Sequence, residues 1–316
     1  MDSIRLFYEK NKMNKVLRLK EHFRPNQRTH VMGILNVTPD SFSGDGVMGA
    51  HDFVTDAVRR AVAFCRAGAD IIDVGGESTR PGAATVNTQA EIDRVVPVIE
   101  AITEKLPDMV ISIDTSKAAV AAAALSAGAA MLNDVWGLRH DPNIVHVAAA
   151  AGCPVVLMHN ASRSDAVAVD GNGGKRYGAG VYTHLMEDIT RSLEECASVA
   201  EAAGISSDQI ILDPGIGFGK SVVQNLALLN HLDQVKKLQF PVLVGPSRKS
   251  FIGSVLGVDV ADRLDGTIAA VVIAVTRGAN IVRVHDVQSI VRVVRMCDAI
   301  LSAPADGDVT PANGAV

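Results

Sequence analysis

The stretch Met109-Val-Ile-Ser-Ile-Asp114 is a short, mostly apolar run that ends on a carboxylate. Seven other apolar runs end on polar or charged residues in the same way: 31–35 before Asn36, 71–72 before Asp73, 129–132 before Asn133 and Asp134, 154–158 before His159 and Asn160, 210–212 before Asp213, 241–244 before 245–249, and 281–284, which contains Arg283, before His285 and Asp286. Runs of this kind, rich in Val, Ile and Leu, are typical of strands buried on both faces. Eight polar strand ends predict one shared polar cavity, which in a (β/α)8 barrel is the active site at the carboxyl ends of the strands.

The segments between these runs have helical character, so strands and helices alternate along the chain. Predicted helices span residues 52–67, 88–105, 116–127, 143–151, 182–203, 222–238, 262–277 and 287–301. In the second of these helices, Thr88 is predicted as the N-cap residue and Glu91 completes a capping box. Alternation of this kind implies parallel strands joined by right-handed crossovers. A doubly wound open sheet would share it, but eight strands in 316 residues favour an α/β fold of the closed (β/α)8 TIM barrel type.

Composition bounds the domain organisation and excludes several classes of protein. We predict a basic N-terminal arm at residues 1–29, a single barrel domain at 30–302 and a short disordered tail at 303–316. A formal net charge of −5 gives no support to nucleic-acid binding, and four cysteines without a CxxC pair indicate neither a disulfide framework nor a zinc site. No uncharged apolar stretch reaches about 18 residues, and no signal-peptide pattern is present. A cytoplasmic protein is therefore expected.

The stretch Gly215-Ile-Gly-Phe-Gly-Lys-Ser221 resembles a phosphate-binding loop without matching one. The GxxxxGK[ST] pattern needs a glycine at position 214, which is proline, and the GxGxxG pattern needs one at position 220, which is lysine. The chain has no HExxH motif, and its nine histidines do not cluster at metal-ligand spacing. These patterns therefore assign no function.

The strand-end residues carry a stronger signal. Asp114 and Asp213 follow apolar runs, and each carboxylate needs a hydrogen-bond donor, which the paired N–H groups of a heterocycle would supply. The alternative is that each carboxylate caps the loop or helix that follows it. Lys249 follows the seventh run, and Arg283 and His285 lie on the eighth, where many barrels bind phosphate.

Seven longer stretches carry a more specific signal: Met32-Gly-Ile-Leu-Asn-Val-Thr-Pro-Asp-Ser-Phe42, Ile72-Asp-Val-Gly-Gly-Glu-Ser-Thr-Arg-Pro-Gly82, Ile113-Asp-Thr-Ser-Lys117, Leu132-Asn-Asp134, Leu212-Asp-Pro-Gly-Ile-Gly-Phe-Gly-Lys220, Ser247-Arg-Lys-Ser250 and Ile281-Val-Arg-Val-His-Asp286. In this order they resemble the successive motifs of dihydropteroate synthases, from about residue 30 to residue 300. The resemblance implies a TIM-barrel homodimer of folate synthesis and a target of sulfonamides. Such an enzyme joins 4-aminobenzoate to the methylene carbon of 6-hydroxymethyl-7,8-dihydropterin pyrophosphate, with Mg²⁺ assisting, and releases 7,8-dihydropteroate and pyrophosphate. The expected partners are these two small molecules, with neither nucleic acid nor membrane.

The resemblance also implies roles for residues, position by position. The pterin would contact Asp114, Asn133, Met158, Asp213, Phe218 and Lys249. The pyrophosphate would contact Asn36, Thr79, Arg283 and His285, with Asn36 also binding the metal. The 4-aminobenzoate would contact Arg80, Pro81 and Ser250. Residues implied in catalysis are Asp45, Thr79, Arg80 and Lys249.

Two positions depart from the family pattern. The first loop reads Ser43-Gly44-Asp45-Gly46 where the family usually has Ser-Asp-Gly-Gly, so the loop aspartate is displaced by one residue. Asn160 replaces the second methionine of a Met-His-Met stretch, a change expected to affect only the loop that follows.

Three other functions remain as alternatives. A pterin-dependent methyltransferase domain would share the barrel and the pterin site but would not need a pyrophosphate site at Arg283 and His285. A catalytically silent pterin-binding paralogue would be marked by the loss of Arg80, Lys249 or His285, and all three are present. A phosphosugar isomerase would need a base such as Glu77, which is expected instead to support the second loop.

Overall fold

The computed structural model describes residues 28–37, 50–78, 85–162, 167–169, 175–178 and 180–304. Within them eight strands form one parallel sheet: β1 His30–Asn36, β2 Ile71–Gly75, β3 Val110–Asp114, β4 Met131–Asp134, β5 Val155–Met158, β6 Ile210–Asp213, β7 Leu243–Val244 and β8 Ile281–Val284. Each strand coincides with one of the eight apolar runs. The predicted arm and tail lie almost wholly outside the described residues, so the domain boundaries stay predictions.

The sheet closes into a barrel. The order of neighbouring strands is β6-β5-β4-β3-β2-β1-β8-β7. Its two ends meet through a parallel bridge between Leu212 and Val242, and the backbone N–H of Leu212 donates to the carbonyl of Pro241 at 2.9 Å. This closure confirms the TIM barrel and excludes the doubly wound open sheet.

Helices surround the barrel. In the described part of the chain they are α1 Ala50–Ala67, α2 Thr88–Lys105, α3 Ala118–Ala127, α4 Ile144–Ala151, α5 Leu185–Ala202, α6 Val222–Asn230, α7 Asp233–Lys236, α8 Ser250–Leu256, α9 Leu264–Thr276 and α10 Val287–Ser302. Short 3₁₀ turns at Ser207–Gln209 and Val260–Asp262 and a hairpin of Val167–Val169 with Lys175–Tyr177 complete the elements. None of the described helices is long and apolar enough to span a membrane.

Three details of the predicted helices are wrong. Asn87, not Thr88, is the N-cap of α2, because its side chain accepts from the backbone N–H of Ala90 at 2.8 Å. The predicted helix 222–238 is divided into α6 and α7, with the buried Leu232 between them. Helix α8, which begins directly after Lys249, was not predicted.

The barrel interior is built in layers. Eight buried apolar residues, one from each strand, form its floor: Met32, Ile71, Val110, Met131, Val156, Ile211, Leu243 and Ile281. Because side chains alternate along a strand, the residues two positions further on also point into the barrel. Four members of this next layer are Asp73, Asn133, Asp213 and Arg283. A polar layer therefore lies on an apolar floor, toward the carboxyl ends of the strands.

Gly33 lies on the outer face of β1, where that strand packs closely against α1 and α10. A Cβ atom at this position would lie 2.8 Å from the Phe64 ring and 2.9 Å from a methyl group of Val287. Gly33→Ala should therefore lower the free energy of unfolding by about 1–3 kcal/mol, measured by urea denaturation. Gly245→Ala is the matched control, since its nearest non-local heavy atom is 3.7 Å away. Equal losses in the two variants would contradict this account of the packing.

Candidate active site

Strand register brings the predicted pterin and pyrophosphate residues to one end of the barrel. Asn36 pairs with Gly75, Gly75 with Asp114, and Asp114 with Asn133, across four adjacent strands. A Cβ at Gly75 would lie 3.6 Å from the Cβ of Asp114 and 3.7 Å from the side-chain oxygen of Asn36. The glycine thus leaves space between these two polar side chains. Met158, which is buried, pairs with Asp213 on the far side of the ring.

Arg283 forms ion pairs with two carboxylates of this polar end of the barrel. Its Nε donates to Asp73 Oδ2 at 2.6 Å, and its Nη2 donates to Asp114 Oδ2 at 2.6 Å. The amide of Asn133 donates to the same Asp73 oxygen at 3.0 Å. Asp73 is fully buried, and its other oxygen has no hydrogen-bond partner among the described residues. Asp73 was absent from the predicted site residues, although it ends an apolar run as Asp114 does.

Burial and pairing have opposite effects on the ionisation of this cluster. Burial raises the pKa of Asp114, and the positive charge of Arg283 opposes that rise. Burial alone would lower the pKa of Arg283, but the charges of Asp73 and Asp114 outweigh it and raise the pKa above its ordinary value. The arginine is therefore always charged, whereas Asp114 is a buried carboxylate with a reduced tendency to ionise.

Asp213 divides its two oxygens between the fold and the cavity. Its Oδ1 accepts from the backbone N–H of Gly215 at 2.7 Å, so the residue does cap the following loop. Its Oδ2 accepts no hydrogen bond from the described residues and is available to a ligand. Burial raises the pKa of this carboxyl, and Lys249 is the main charge that opposes the rise.

The glycine-rich loop after β6 is held from inside by Lys220. The buried ammonium group donates to the carbonyls of Gly215 at 2.9 Å and Phe218 at 3.1 Å, and lies 3.0 Å from His159 Nδ1. Burial lowers the pKa of Lys220 to about 7 and that of His159 to about 3, so the histidine is neutral and can accept. A Cβ at Gly215 would lie 1.9 Å from the carbonyl oxygen of His159. Lys220 points into the protein and binds the loop itself, whereas the lysine of a phosphate loop binds the phosphate. The sequence motif alone did not reveal this role of Lys220.

Lys249 reaches the cavity from the start of α8. Its ammonium group donates to the carbonyl of Ile216 and lies 4.4 Å from the centre of the Phe218 ring. Burial lowers the pKa of Lys249 to about 7; Asp213 opposes that shift and Arg283 adds to it. The lysine is therefore near its midpoint at neutral pH, next to an aromatic ring that can cover a planar ligand. Ser250 is the first residue of α8 and is half-buried.

His285 is oriented by Ser247. The Ser247 hydroxyl accepts from the backbone N–H of His285 at 3.2 Å and lies 3.0 Å from its Nδ1. A hydroxyl that accepts in this way can donate its own proton to Nδ1, which leaves the proton of a neutral imidazole on Nε2. The neighbouring Arg248 forms a two-bond ion pair with Asp286, which fixes the segment between β7 and α8 against the end of β8.

Asn36 is the predicted metal ligand, and its chemistry fits Mg²⁺. The side chain is half-exposed at the carboxyl end of β1, and its amide oxygen accepts no hydrogen bond from the described residues. Those residues contain no group of three or more His, Cys, Asp or Glu side chains that could hold a metal ion. Mg²⁺ commonly uses one or two protein oxygens together with substrate phosphates and water, so one amide oxygen beside the predicted pyrophosphate residues would be a suitable protein ligand.

Four predicted site residues lie outside the described residues: Asp45, Thr79, Arg80 and Pro81. Asn160, which departs from the family pattern, is described; its amide donates to the carbonyl of Val135 at 2.9 Å and accepts from the backbone N–H of Ser162 at 2.9 Å. These bonds hold the start of the following loop. Glu77 accepts from the backbone N–H of Val86 at 3.0 Å, and so supports the second loop.

Comparison with known proteins identifies the family. Residues 32–285 match the pterin binding enzyme family. The dihydropteroate synthase of Clostridium beijerinckii is 45% identical over 282 residues, which cover 89% of this chain and 97% of the relative. A solved dihydropteroate synthase from Clostridium difficile, in the presence of pteroic acid, is 44% identical, has a TM-score of 0.78, and matches over 87% of this chain and 97% of that one. Another from Xanthomonas albilineans, with 4-aminobenzoic acid, is 40% identical, has a TM-score of 0.79, and matches over 88% of this chain and 95% of that one.

These matches extend over the barrel and agree with the motifs quoted from the sequence. The resemblance is confirmed: the chain belongs to the pterin-binding enzyme family and, within it, to the dihydropteroate synthases.

Proposed function

We propose that this transferase joins 4-aminobenzoate to the methylene carbon of 6-hydroxymethyl-7,8-dihydropterin pyrophosphate and releases 7,8-dihydropteroate and pyrophosphate. The observation that carries the proposal is the polar end of the barrel above its floor, where the buried carboxylates of Asp114 and Asp213 both interact with the charge of Lys249. The relatives with pteroic acid and with 4-aminobenzoic acid support the choice of the two substrates.

The pterin ring fits the donors and acceptors of this layer. Asp213 Oδ2 can accept from the adjacent N–H groups of the ring, and Lys249 can donate to the ring acceptors. Phe218 can cover one face of the ring and Met158 the other. The apolar floor below excludes water, which strengthens each of these polar contacts.

The pyrophosphate needs more positive charge than Arg283 alone provides. Arg283 is already paired with Asp73 and Asp114, so the three side chains carry a net charge of −1 when both carboxylates are ionised. A metal ion held in part by Asn36 would therefore supply much of the neutralisation, and the Nε2–H of His285 would donate a hydrogen bond to the pyrophosphate. Bound Mg²⁺ would stabilise the negative charge that develops on the departing pyrophosphate.

The reaction itself demands little acid–base chemistry from the protein. The dihydropterin can delocalise the cation left when the carbon–oxygen bond breaks, and the arylamine is already neutral near pH 7. Orientation and electrostatic stabilisation are then the main contributions of the chain. We assign contacts with the 4-aminobenzoate to Arg80, Pro81 and Ser250, a contact with the reacting groups to Thr79, and stabilisation of the cation to Asp45.

A second copy of the chain is the proposed protein partner. Exposed apolar side chains lie on the neighbouring helices α9 and α10, at Ile273, Met296 and Ile300, and on α8 at Leu256. Apolar side chains on adjacent helices are typical of an interface between subunits. These exposed apolar side chains support the proposal of a homodimer.

One assay tests the proposed reaction directly. The protein is incubated with the pterin pyrophosphate, 4-aminobenzoate and Mg²⁺, and formation of 7,8-dihydropteroate and pyrophosphate is followed by chromatography. We expect both products in equal amounts, and none when either substrate is omitted. Absence of dihydropteroate from folded protein would overturn the proposal.

Asp213→Asn tests the pterin site. An amide in place of the carboxylate presents a donor toward ring N–H groups, so affinity for a pterin alcohol should fall about tenfold to a hundredfold, measured by calorimetry. Asp134→Asn is the matched control, because Asp134 is an equally buried strand-end carboxylate whose oxygens accept from the backbone N–H groups of Trp136 and Leu138. The control should lose stability and keep its affinity. Unchanged affinity in Asp213→Asn would reduce that residue to a loop cap.

The pH dependence of pterin affinity should show the loss of the Lys249 proton. Affinity should rise with pH as Asp213 and Asp114 ionise, since burial raises the pKa of both carboxyls, and should fall at alkaline pH once Lys249, whose pKa is lowered to about 7, has lost its proton. Lys249→Arg stays charged at every pH used and should remove only the fall at alkaline pH. An alkaline fall that persists in Lys249→Arg would exclude Lys249 and leave Lys220, whose pKa is also lowered to about 7, or the ring N–H of the pterin as the titrating group.

His285→Ala should weaken binding of the pyrophosphate group without weakening binding of the pterin ring. Affinity for the pterin pyrophosphate ester should fall about tenfold to a hundredfold, while affinity for the pterin alcohol stays within twofold of the parent. Arg283→Ala is less selective, because it leaves Asp73 and Asp114 without their cation. His231→Ala, at an exposed histidine that ends α6, is the control. Equal losses for both ligands in His285→Ala would show that the histidine supports the fold.

A further inference from the structure

A cluster beside the pterin site joins three segments of the chain through one lysine. Lys117 Nζ donates to Glu77 Oε2 at 2.6 Å, to Glu91 Oε2 at 2.6 Å and to the carbonyl of Val86 at 2.7 Å. Glu77 and Val86 are also bonded to each other, through the Val86 N–H and Glu77 Oε1 at 3.0 Å. All three protons of the ammonium group are therefore used within the protein, none of them on a substrate.

Glu77 and Val86 lie on either side of the part of the second loop that carries Thr79, Arg80 and Pro81. Lys117 thus binds both ends of the loop to a third point, the segment between β3 and α3. The first end has further support, because Arg94 donates to the carbonyl of Gly76 at 2.9 Å. A Cβ at Gly76 would lie 2.7 Å from Val95 and 2.9 Å from Glu91, so only glycine permits this close approach to α2.

The other contacts of the cluster lead to the pterin site. Glu91, which is 1% exposed, accepts from the Thr115 hydroxyl at 2.7 Å through its remaining oxygen. Thr115 directly follows Asp114. Burial alone would lower the pKa of Lys117, but Glu77 and Glu91 outweigh it and raise the pKa, so the lysine is charged throughout the neutral range.

We propose that Lys117 is a positioning residue for 4-aminobenzoate: by binding Glu77 and Val86 at once, it fixes the separation of the two ends of the loop that carries Arg80 and Pro81. The inference rests on the proposed function, which assigns those two residues to 4-aminobenzoate. A loop whose ends are already fixed loses less conformational entropy when it orders around a ligand. Lys117 should therefore contribute to the affinity of the second substrate and not to that of the pterin.

Lys117→Met tests this role. With saturating pterin pyrophosphate, KM for 4-aminobenzoate should rise at least about tenfold, while kcat changes less than KM and calorimetric affinity for the pterin alcohol stays within twofold. An unchanged KM for 4-aminobenzoate would overturn the inference. An equal loss of pterin affinity would also overturn it, because the cluster would then support the whole site.

Two further variants separate positioning from stability. Lys117→Met leaves Glu91 buried without its cation, so the double variant Lys117→Met/Glu91→Gln should recover thermal stability and still show the raised KM. Asp141→Ala is the matched control, because Asp141 caps α3, the helix that follows Lys117, by accepting from the Ala118 N–H at 2.8 Å, and among the described residues it bonds to neither Glu77 nor Val86. It should lose stability with an unchanged KM. Recovery of KM together with stability in the double variant would assign Lys117 to folding alone. Failure of the parent protein to make dihydropteroate would instead overturn the proposed function.

Discussion

The pairing of Arg283 with Asp73 and Asp114 is the interaction on which the mouth of the barrel depends. Arg283 lies on β8, whereas the two carboxylates lie on β2 and β3, so the guanidinium reaches past β1 to two strands beyond it. A carboxylate removed from water is costly unless a cation and further donors satisfy it. Removing one partner of a buried pair commonly costs about 3–5 kcal/mol. The two carboxylates can therefore be buried above the apolar floor, since Arg283 donates a hydrogen bond to each of them.

Three other charged side chains at this end of the barrel are Asp213, Lys220 and Lys249, and burial disfavours the charged form of each. Asp213 uses one oxygen for the loop, and its other oxygen accepts no hydrogen bond from the described part of the chain, while burial lowers the pKa of both Lys220 and Lys249 to about 7. A ligand that offers N–H donors to the acid and acceptors to Lys249 would stabilise the charged forms of both. Lys220 already has three acceptors inside the protein. Lys220 donates only within the protein, whereas Lys249, which has one loop carbonyl as acceptor, is the lysine proposed to contact the ligand.

Sequence patterns predicted the barrel because eight apolar runs with polar ends leave few other folds, and they predicted Asp114 and Asp213 from those ends. Other features depend on contacts that no local pattern encodes. Asn87 caps α2 in place of Thr88, a shift of one residue between two good capping residues. The paired state of Arg283 follows from the register of β8, β1, β2 and β3, and register is fixed only when the barrel closes. The inward direction of Lys220 likewise depends on the position of His159 after β5.

The end of β3 connects the two proposed substrate sites. Asp114 bonds to Arg283 in the polar layer, Thr115 bonds to Glu91, and Lys117 bonds to Glu77 and Val86, which flank the second loop. These three residues lie within four consecutive positions, so a shift of the strand end on binding of the proposed pterin would be carried to Lys117 over a very short stretch of backbone. Rigid, packed segments transmit small displacements because they have few alternative arrangements. If the two substrates bind as proposed, the stretch from Asp114 to Lys117 would couple the pterin site to the loop that carries Arg80 and Pro81.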